Sequence, residues 1–378
     1  MQNNKTKTIV VAHNTAKYLL MHYRQLLFDL KKEFDNVICV APEDGFEHRF
    51  EKLGFDFVSI DVQQHGTNPL KEWKLVKEFS SIYKKYQPDA VLNFSIKPCL
   101  YGGYAAKKLG VEKAGYMVTG LGYIFLTSGF KAKLLKKLTV SRYRKNLRKQ
   151  DHVFFQNKDD AKLFEDFQIT NSAKTHVLPG TGIDLKEFPF SKKNSDQISQ
   201  VRFLYIGRML KDKGLVELVK ACYALRKLGC SFQCDLVGPL DTNPSAIKFP
   251  EIQSWQKKNL IRYHGETEDI KQFLKDSHVF VLPSYREGLP RAGLEAMSMG
   301  LPIITTDVPG CREIVEHGVN GLLVEAKHST PLAKSMKRFI DDKSMIEKMG
   351  KKSRLICEEK FSVEIVSDMV CRAMGSEG

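Results

Sequence analysis

The sequence has little that would mark a secreted, metal-binding or membrane-spanning protein. Its eight cysteines are scattered and include no Cys-x-x-Cys pair, so we expect neither a disulfide framework nor a zinc site. No run of about twenty apolar residues could span a bilayer, and the N-terminal residues contain no long apolar signal region. We therefore expect a cytoplasmic chain that does not cross a membrane.

Two common nucleotide-binding motifs are also missing. No Gly-x-Gly-x-x-Gly follows the first predicted strand, and no Gly-x-x-x-x-Gly-Lys-Ser/Thr occurs anywhere in the chain. Their absence counts against dehydrogenases and P-loop enzymes. No helix-turn-helix, zinc-finger or ribonucleoprotein motif is present either, so the net charge of +15 is not explained by a familiar nucleic-acid-binding module.

Short apolar segments alternate with helical patterns along the whole chain. The 378 residues are 42% apolar, which is enough for two or three domains with their own cores. One series of strand-like segments starts at residues 8–12 and a second starts at residues 201–206, and this βα alternation predicts parallel sheets. A polar stretch at residues 191–197 is expected to link two doubly wound Rossmann-like α/β domains that face a cleft. Their predicted bounds are 1–190 and 198–378, with a last helix that could return to the first domain.

Two glutamates flank a predicted helix start in the second domain. Glu287 lies in a turn, Pro290 is expected to be the first helical residue, and Glu295 follows Glu287 by eight residues, about 12 Å along a helix. A helix start presents free N–H groups and a positive dipole, which favour an anion such as a diphosphate. In this interpretation Glu287 meets a sugar and Glu295 a ribose. The alternative is that Glu287 caps the helix and Glu295 is a solvated helix residue.

The turn after residues 201–206 combines glycine with two cations. Gly207, Arg208 and Lys213 offer backbone room and fixed positive charge, which suit a diphosphate that gains negative charge as it leaves. A solvated basic loop is the alternative.

Two weaker signals follow later strands of the second domain. Gly238 would let a ligand approach the backbone, although it could equally be a turn glycine. His264 and Gly265 offer backbone groups that could read the edge of a nucleotide base. We expect Gly238, His264 and Gly265 to belong to the same donor site as Arg208 and Lys213.

In the first domain, polar and glycine-rich turns follow several predicted strands. His13 follows the opening strand and could be functional or a satisfied structural histidine. Gly-rich turns here could cradle an anionic acceptor or carry a group that contacts the reacting sugar. Candidates in or beside such turns are Lys97, Gly102, Gly120 and Gly122 for binding and Thr119 for the reacting sugar.

A strongly basic segment runs from Lys131 to Lys149 without a single acidic residue. Leucine, valine and tyrosine are interleaved with its cations, which predicts a basic amphipathic helix. Such a helix could lie on an anionic membrane surface. The alternatives are nucleic-acid binding, for which the segment lacks regular aromatics, and a solvated lysine-rich face.

Several of these segments together resemble a known family, the retaining GT-B-fold glycosyltransferases of family four, essentially from end to end. The most specific matches are the Glu-x7-Glu pair Glu287 and Glu295, the turn that contains Arg208 and Lys213, and the segments 309–313 and 318–321. The resemblance implies a GT-B fold of two Rossmann-like domains. It further implies hexosyl transfer from a nucleotide-sugar with retention of configuration and without a metal or other cofactor.

The resemblance also implies a role for each matching residue. Arg208 and Lys213 would hold the donor diphosphate, Glu287 the hydroxyls of the transferred sugar, and Glu295 the ribose diol. Gly288 and Leu289 would supply the backbone that binds phosphate. No covalent nucleophile is expected from the two carboxylates.

Segments 96–98, 101–103 and 119–122 resemble members that extend undecaprenyl-diphosphate-linked glycans in O-antigen, lipopolysaccharide, capsule or protein-glycosylation pathways of bacteria. This implies a UDP-sugar donor, best a UDP-N-acetylhexosamine, and a lipid-linked saccharide acceptor. It also implies a peripheral position on the inner face of the cytoplasmic membrane. Many relatives carry a histidine where this chain has Thr119. The alternatives are a UDP-sugar epimerase of the same fold and a nucleic-acid-binding protein.

Overall fold

The computed structural model describes residues 6–62, 69–120, 130–170 and 174–375. The chain divides into two compact units, Met1–Thr181 with Val363–Gly378, and Gly182–Ser362. Each unit has one parallel sheet with helices, which confirms the predicted α/β class and the pair of doubly wound Rossmann-like domains. In the part of the chain that is described, every helix is too short or too polar to cross a bilayer.

The first unit is built on a seven-stranded parallel sheet in the order β3-β2-β1-β4-β5-β6-β7. Five of its strands are buried either completely or at every residue but the first, because helices cover both faces, and this explains their continuous apolar sequences. The order reverses between β1 and β4. The strands are β1 Thr8–Ala12, β2 Asn36–Ala41, β3 Asp56–Ser59, β4 Ala90–Phe94, β5 Lys113–Val118, β6 His152–Phe155 and β7 Thr175–Val177. The helices are α1 Ala16–Glu33, α2 Glu47–Lys52, α3 Pro69–Tyr86, α4 Gly103–Leu109, α5 Phe130–Asn146 and α6 Lys158–Asp166, with a π-helical turn at Pro98–Gly102 before α4.

The second unit has a six-stranded parallel sheet in the order β10-β9-β8-β11-β12-β13, and its order reverses between β8 and β11. Its core is a single cluster of aliphatic and aromatic side chains that extends over the described part of the unit. The strands are β8 Val201–Ile206, β9 Phe232–Val237, β10 Arg262–Tyr263, β11 Val279–Leu282, β12 Ile303–Thr306 and β13 Gly321–Val324. The helices are α7 Leu215–Lys227, α8 Phe249–Lys257, α9 Ile270–Asp276, α10 Arg291–Ser298, α11 Ser329–Asp341 and α12 Ser344–Lys360.

The division between the units falls earlier than the predicted linker at residues 191–197. Ile183 and Phe188 are buried in the core of the second unit, and Ile183 bridges to Ser362 at the end of that unit. The Ser191 N–H donates to the Met299 carbonyl, 3.2 Å away. Residues 182–197 therefore belong to the second unit, because two apolar anchors precede the polar stretch and fix it there.

The last helix, α13 Val363–Met374, belongs to the first unit. Val370 and Met374 are buried in the core that lies under α1, and the Ser367 hydroxyl donates to Asp29 Oδ2 at 2.6 Å. The chain thus returns to its first domain after completing the second, as the sequence interpretation allowed.

Candidate active site

The most distinctive geometry in the second unit lies where the strand order reverses. β8 and β11 are parallel neighbours at this reversal, and in doubly wound sheets such a reversal is where a crevice forms beyond the carboxyl ends of the strands. Lys213 follows β8 and Glu287 follows β11, and Lys213 Nζ lies 2.5 Å from Glu287 Oε1. The Ser284 hydroxyl donates to the same oxygen at 2.6 Å. The side chains of Lys213 and Glu287 are only 21% and 14% exposed, so this ion pair is largely shielded from solvent.

The backbone around Glu287 is held against the loop that follows β12. The Glu287 N–H donates to the Pro309 carbonyl at 3.1 Å, and the Thr306 hydroxyl donates to the Ser284 carbonyl. Gly310 has a φ of +80°, and a Cβ added there would overlap the carbonyl oxygens of Glu287 and Gly288. Only glycine therefore fits at position 310, and the carboxylate of Glu287 is presented from a fixed backbone.

Arg208 lies just after β8 and is held there through its backbone carbonyl. The buried Tyr205 side chain donates its hydroxyl proton to the Arg208 carbonyl at 2.9 Å. The guanidinium is 56% exposed and pairs with Asp241, with Nη1 2.9 Å from Oδ2. Arg208 and Lys213 thus supply two cations from one loop, each with a carboxylate partner in this structure.

The ends of β8, β9 and β10 meet through their backbones. The Gly238 N–H donates to the Gly265 carbonyl at 2.7 Å, and the Gly207 N–H donates to the Val237 carbonyl at 2.9 Å. Gly238 has a φ of +139°, and a Cβ there would overlap the Gly207 carbonyl oxygen. Gly238 is consequently required by close packing of the chain, beyond any part it has in ligand binding.

The His264 side chain is oriented by Asp235 on β9. His264 Nε2 lies 2.7 Å from Asp235 Oδ1, and the His264 ring packs edge-on against Phe273 at 4.8 Å between centroids. Asp235 is buried and also accepts from Arg262 Nε at 2.9 Å. The backbone of His264 and Gly265 therefore remains at the sheet edge while the imidazole is engaged elsewhere.

Helix α10 begins one residue later than predicted. Pro290 is the N-cap rather than the first helical residue, because its ψ of 104° is extended while its carbonyl already accepts from the N–H groups of Gly293 and Leu294. Pro290 has no side chain that could cap this helix, and the contacts of the Glu287 carboxylate described above are to Lys213 and Ser284. Since helical geometry starts only at Arg291, the predicted helical spacing of about 12 Å between the two glutamates does not apply.

Glu295 is buried on α10, so the alternative of a solvated residue is also wrong. It is 7% exposed, and Arg291 Nε lies 3.0 Å from its Oε1. Burial raises the pKa of the Glu295 carboxyl to about 7, and the neighbouring Arg291 opposes that rise. Gly288 and the partly buried Leu289 connect this helix to Glu287.

In the first unit, His13 follows β1 and is almost fully buried. Its Nδ1 accepts from the Thr15 N–H at 3.0 Å, and its ring lies 5.6 Å from that of Phe94. Burial lowers the pKa of His13 to about 4, so the imidazole is neutral with its proton on Nε2. These contacts agree with the structural interpretation of His13, and Nε2 carries the proton that a functional role would use.

A small polar cluster lies at the strand reversal of the first unit. The Ser95 hydroxyl is 3.3 Å from Asn14 Oδ1 and 3.4 Å from Thr119 Oγ1, so the exits of β1, β4 and β5 meet there. The cluster brings Thr119 beside Ser95 and Asn14, to which the sequence interpretation assigned no role. Gly120 follows directly.

The remaining acceptor-side candidates fall in different settings. Lys97 is half-buried and precedes the π-helical turn. Gly102 is buried in that turn, where an added Cβ would overlap Asn93 Oδ1, and this indicates a packing role instead of direct acceptor contact. Gly122 lies outside the described residues.

Two models of known protein families match this chain. The family model of glycosyl transferases group 1 matches residues 187–355, and that of glycosyl transferase 4-like domains matches residues 9–157. The chain belongs to the GT-B glycosyltransferases. The two matches fall one on each sheet, so the glycosyltransferase assignment covers both units.

Individual relatives of this glycosyltransferase extend the comparison. It is 26% identical over 337 residues to the N,N'-diacetylbacillosaminyl-diphospho-undecaprenol alpha-1,3-N-acetylgalactosaminyltransferase of Campylobacter jejuni, covering 86% of this chain and 88% of that one. It is 31% identical over 162 residues to the capsular polysaccharide biosynthesis glycosyltransferase CapM of Staphylococcus aureus, covering 43% and 42% of the two chains. The structure of Anabaena HepE in complex with UDP-glucose matches with a TM-score of 0.76 at 18% identity over 97% and 98% of the chains, which establishes likeness of fold. The epimerase and nucleic-acid alternatives are not favoured by these matches.

The predicted basic amphipathic helix of this glycosyltransferase is shorter than expected, and it is not amphipathic, because its apolar residues are distributed around the helix. Helix α5 ends at Asn146, and Arg148 lies beyond it in an ion pair with Asp151 at 2.8 Å. Val140 and Tyr143 anchor α5 in the core of the first unit. The side chain of Lys131 lies outside the described residues.

Three side chains that hold the site were not assigned a role from sequence. Ser284 contacts Glu287, Asp241 contacts Arg208, and Asp235 contacts His264. Ser284 is close to Glu287 in the chain and its small hydroxyl in a turn was a usable signal. The two aspartates gave no usable signal in the sequence, because their partners follow other strands.

Proposed function

We propose that this glycosyltransferase moves a sugar, best an N-acetylhexosamine, from a UDP-sugar to an undecaprenyl-diphosphate-linked saccharide. The product would be a precursor of a bacterial surface polysaccharide or glycoprotein glycan. The activity for which the Campylobacter relative is named supports the acceptor and the sugar, and the UDP-glucose in the Anabaena structure supports a UDP-linked donor. The capsular relative supports the kind of pathway.

The observation that carries the proposal is the shielded group of Lys213, Glu287 and Ser284 at the strand reversal. When the sugar bond breaks, the diphosphate gains negative charge, and a cation already fixed beside it lowers the barrier. Lys213 would turn from Glu287 to the diphosphate when the donor binds. Glu287, still held by the Ser284 hydroxyl at 2.6 Å, would then accept a hydrogen bond from a hydroxyl of the transferred sugar.

The rest of the donor would extend along the carboxyl ends of the strands. Arg208 is the second cation for the diphosphate and would exchange its Asp241 partner for phosphate oxygens. Glu295 is the carboxylate for the ribose diol, with Arg291 holding it in place at 3.0 Å. The backbone of His264 and Gly265 would read the uracil edge.

Retention of configuration and metal independence are parts of the same proposal. After Lys213 turns to the diphosphate, Glu287 would still accept from the Ser284 hydroxyl and from a sugar hydroxyl, and such engagement weakens a carboxylate as a nucleophile, which favours front-face transfer without a covalent intermediate. Lys213 and Arg208 would supply the positive charge that a divalent ion supplies elsewhere. Full activity in a chelator and an α-configured product, read from the anomeric proton signal, are the expected results.

The acceptor would bind to the first unit. The Ser95, Asn14 and Thr119 cluster offers neutral hydrogen-bonding groups to a saccharide, and Lys97 offers charge to a lipid diphosphate. Helix α5 would hold the enzyme on the inner face of the cytoplasmic membrane through its cations.

A UDP-release assay with a panel of UDP-sugars tests the proposal. It is run with and without an undecaprenyl-diphosphate-linked N-acetylhexosamine acceptor in detergent. Release with one donor that depends on the lipid acceptor is the expected result. Release that does not depend on the lipid would contradict the acceptor assignment. No release from any UDP-sugar would contradict the donor assignment, and GDP-linked donors would be tested next.

A further inference from the structure

A groove of about 270 Å³ lies between α3, α4 and α5 in the first unit. Trp73 and Val76 of α3 and Tyr104 of α4 line one part of it, and Arg142 and Lys145 of α5 line the other. None of these residues has a role in the donor site described above. The groove therefore needs its own explanation.

The aromatic lining of the groove is largely open to solvent. Trp73 is 62% exposed and Tyr104 is 47% exposed, although both are large enough to stabilise the fold if they were buried. Lys77 Nζ lies 3.7 Å from the Trp73 ring centroid, so the ring already has a cation beside it. Tryptophan and tyrosine beside cations are typical of surfaces that meet the headgroup region of a bilayer.

The polar groups at the floor of the groove are satisfied within the protein. Glu72 is 9% exposed and accepts from Arg142 Nη1 at 3.3 Å, and the same nitrogen donates to the Tyr101 hydroxyl at 3.0 Å. Arg142 thereby neutralises the charge of Glu72. An apolar occupant could fill the groove without leaving a buried group unpaired.

The same face continues along α5 through two exposed leucines that have lysines beside them. Leu134 and Leu138 are 52% and 50% exposed and precede Arg142 at intervals of four residues, so all three lie on one side of the helix. Lys133 and Lys137 are the neighbouring exposed cations. Exposed leucines beside cations suit contact with the surface of an anionic bilayer.

We propose that this lipid face, formed by Trp73, Tyr104, Leu134, Leu138, Arg142 and Lys145, inserts into the surface of an anionic bilayer and takes one lipid hydrocarbon chain into the groove. The inference deepens the proposed function and rests on its membrane-bound acceptor. A bilayer is favoured over a second copy of this chain, because a symmetric dimer would bring the lysines of one α5 against those of the other. The cations instead match the phosphates of an anionic leaflet.

The chain contains two tryptophans, Trp73 and Trp255, which allows a direct test on the full-length protein. In Trp255→Phe, Trp73 is the single reporter. Its emission is expected to shift to the blue with vesicles of phosphatidylcholine and phosphatidylglycerol, and to be quenched when the acyl chains are brominated. In Trp73→Phe, the emission of Trp255 is expected to stay unchanged with the same vesicles.

A matched pair of double variants tests how much the aromatic side chains contribute to membrane binding. Trp73→Ala with Tyr104→Ala should weaken partitioning into the anionic vesicles about tenfold or more, because burying one large side chain is worth at least that much. The control is Tyr223→Ala on α7 with Leu228→Ala, which directly follows that helix. These residues are 49% and 68% exposed, and Lys227 lies 4.9 Å from the Tyr223 ring, so the control removes a similar surface and should leave partitioning unchanged.

Binding to vesicles without quenching of Trp73 would overturn the proposal, since it would reduce the contact to surface charge alone. Dimerisation of the free protein that Trp73→Ala abolishes would also overturn it. Transfer to the lipid-linked acceptor is measured in detergent, in the same preparations. Transfer without quenching refutes this inference alone, whereas quenching without transfer from any nucleotide-sugar refutes the proposed function alone.

Discussion

The replacement of Lys213 by methionine gives the sharpest test of the donor site. Methionine keeps most of the side-chain length and removes the charge that lies 2.5 Å from Glu287 in a shielded position. Loss of one fixed contact to charge that develops in the transition state costs about 2.7–4 kcal/mol, or about 100- to 1000-fold in turnover. We expect a loss of that size in Lys213→Met. Glu287→Ala should lose about 100-fold or more for the sugar contact.

The same change should have a separate effect on stability. Without Lys213, the Glu287 carboxylate keeps the Ser284 hydroxyl but loses its cation, and we expect the unfolding free energy to fall by about 1–3 kcal/mol. Combining Lys213→Met with Glu287→Gln should recover part of this loss, because the double variant leaves no unpaired charge. Turnover should not recover, since both groups would still be missing from the transition state.

Steady-state UDP release with donor and acceptor gives kcat and kcat/KM, and thermal unfolding of the same samples shows that each variant is folded. Lys211→Met is the matched control, because Lys211 lies on the same short turn but is exposed. Its turnover should stay within about twofold of wild type. A folded Lys213→Met enzyme with wild-type turnover would refute the assignment of Lys213 to the leaving diphosphate.

Three further predictions follow from the remaining geometry. Because the carboxyl of Glu295 has a pKa of about 7, the donor KM should fall as pH rises through about 7, and Glu295→Gln should remove this dependence. Gly310→Ala should lower turnover as strongly as Glu287→Ala, because it displaces the backbone that presents Glu287, whereas Gly318→Ala, with the same φ of +80° and open space around it, should not. The pKa of His13 is lowered from 6.5 to about 4, so His13→Asn, which can still accept from the following turn, should remove part of the acid sensitivity of folding.

His13 and Glu295 are expected to change the folding stability with pH in opposite directions. His13 is neutral in the fold, so its contribution is present above 6.5 and is lost as pH falls toward about 4, on the order of 3 kcal/mol at most. Glu295 has a raised pKa, so its contribution is present below 4.5 and is lost as pH rises through about 7. Chemical unfolding of wild type and each variant across pH measures both. If the unfolding free energy changed with pH in the opposite direction for either residue, the result would contradict the burial of that residue.

Much of the fold was predictable because buried parallel strands have uninterrupted apolar sequences. The predicted segments 8–12 and 201–206 coincide with strands of the structure. Helices cover both faces of these sheets, so no polar alternation obscures the strand bounds. The division between the units was less predictable, since it depends on where Ile183 and Phe188 are buried, which is a property of tertiary packing.

Within the site, residue types were predictable and their partners were not. The glutamates and cations stand out because they follow strands beside glycine. The pairing of Lys213 with Glu287 spans 74 positions, and that of Arg208 with Asp241 spans 33, so only the sheet topology brings them together. The N-cap position of Pro290 also escaped prediction, because proline suits both the cap and the first turn and only the backbone ψ separates them.

The two units use the same topological position for different chemistry. In the second unit the strand reversal carries a lysine and a carboxylate 2.5 Å apart, whereas in the first it carries the neutral groups of Asn14, Ser95 and Thr119 within 3.4 Å. An anionic nucleotide-sugar needs fixed charge, because water must be replaced around its diphosphate. A saccharide hydroxyl needs neutral donors and acceptors that leave it free to attack. The contrast between the two reversals supports the proposed binding of the donor by the second unit and of the acceptor sugar by the first. Exchanging Thr119 for valine should raise the acceptor KM while leaving the donor KM unchanged.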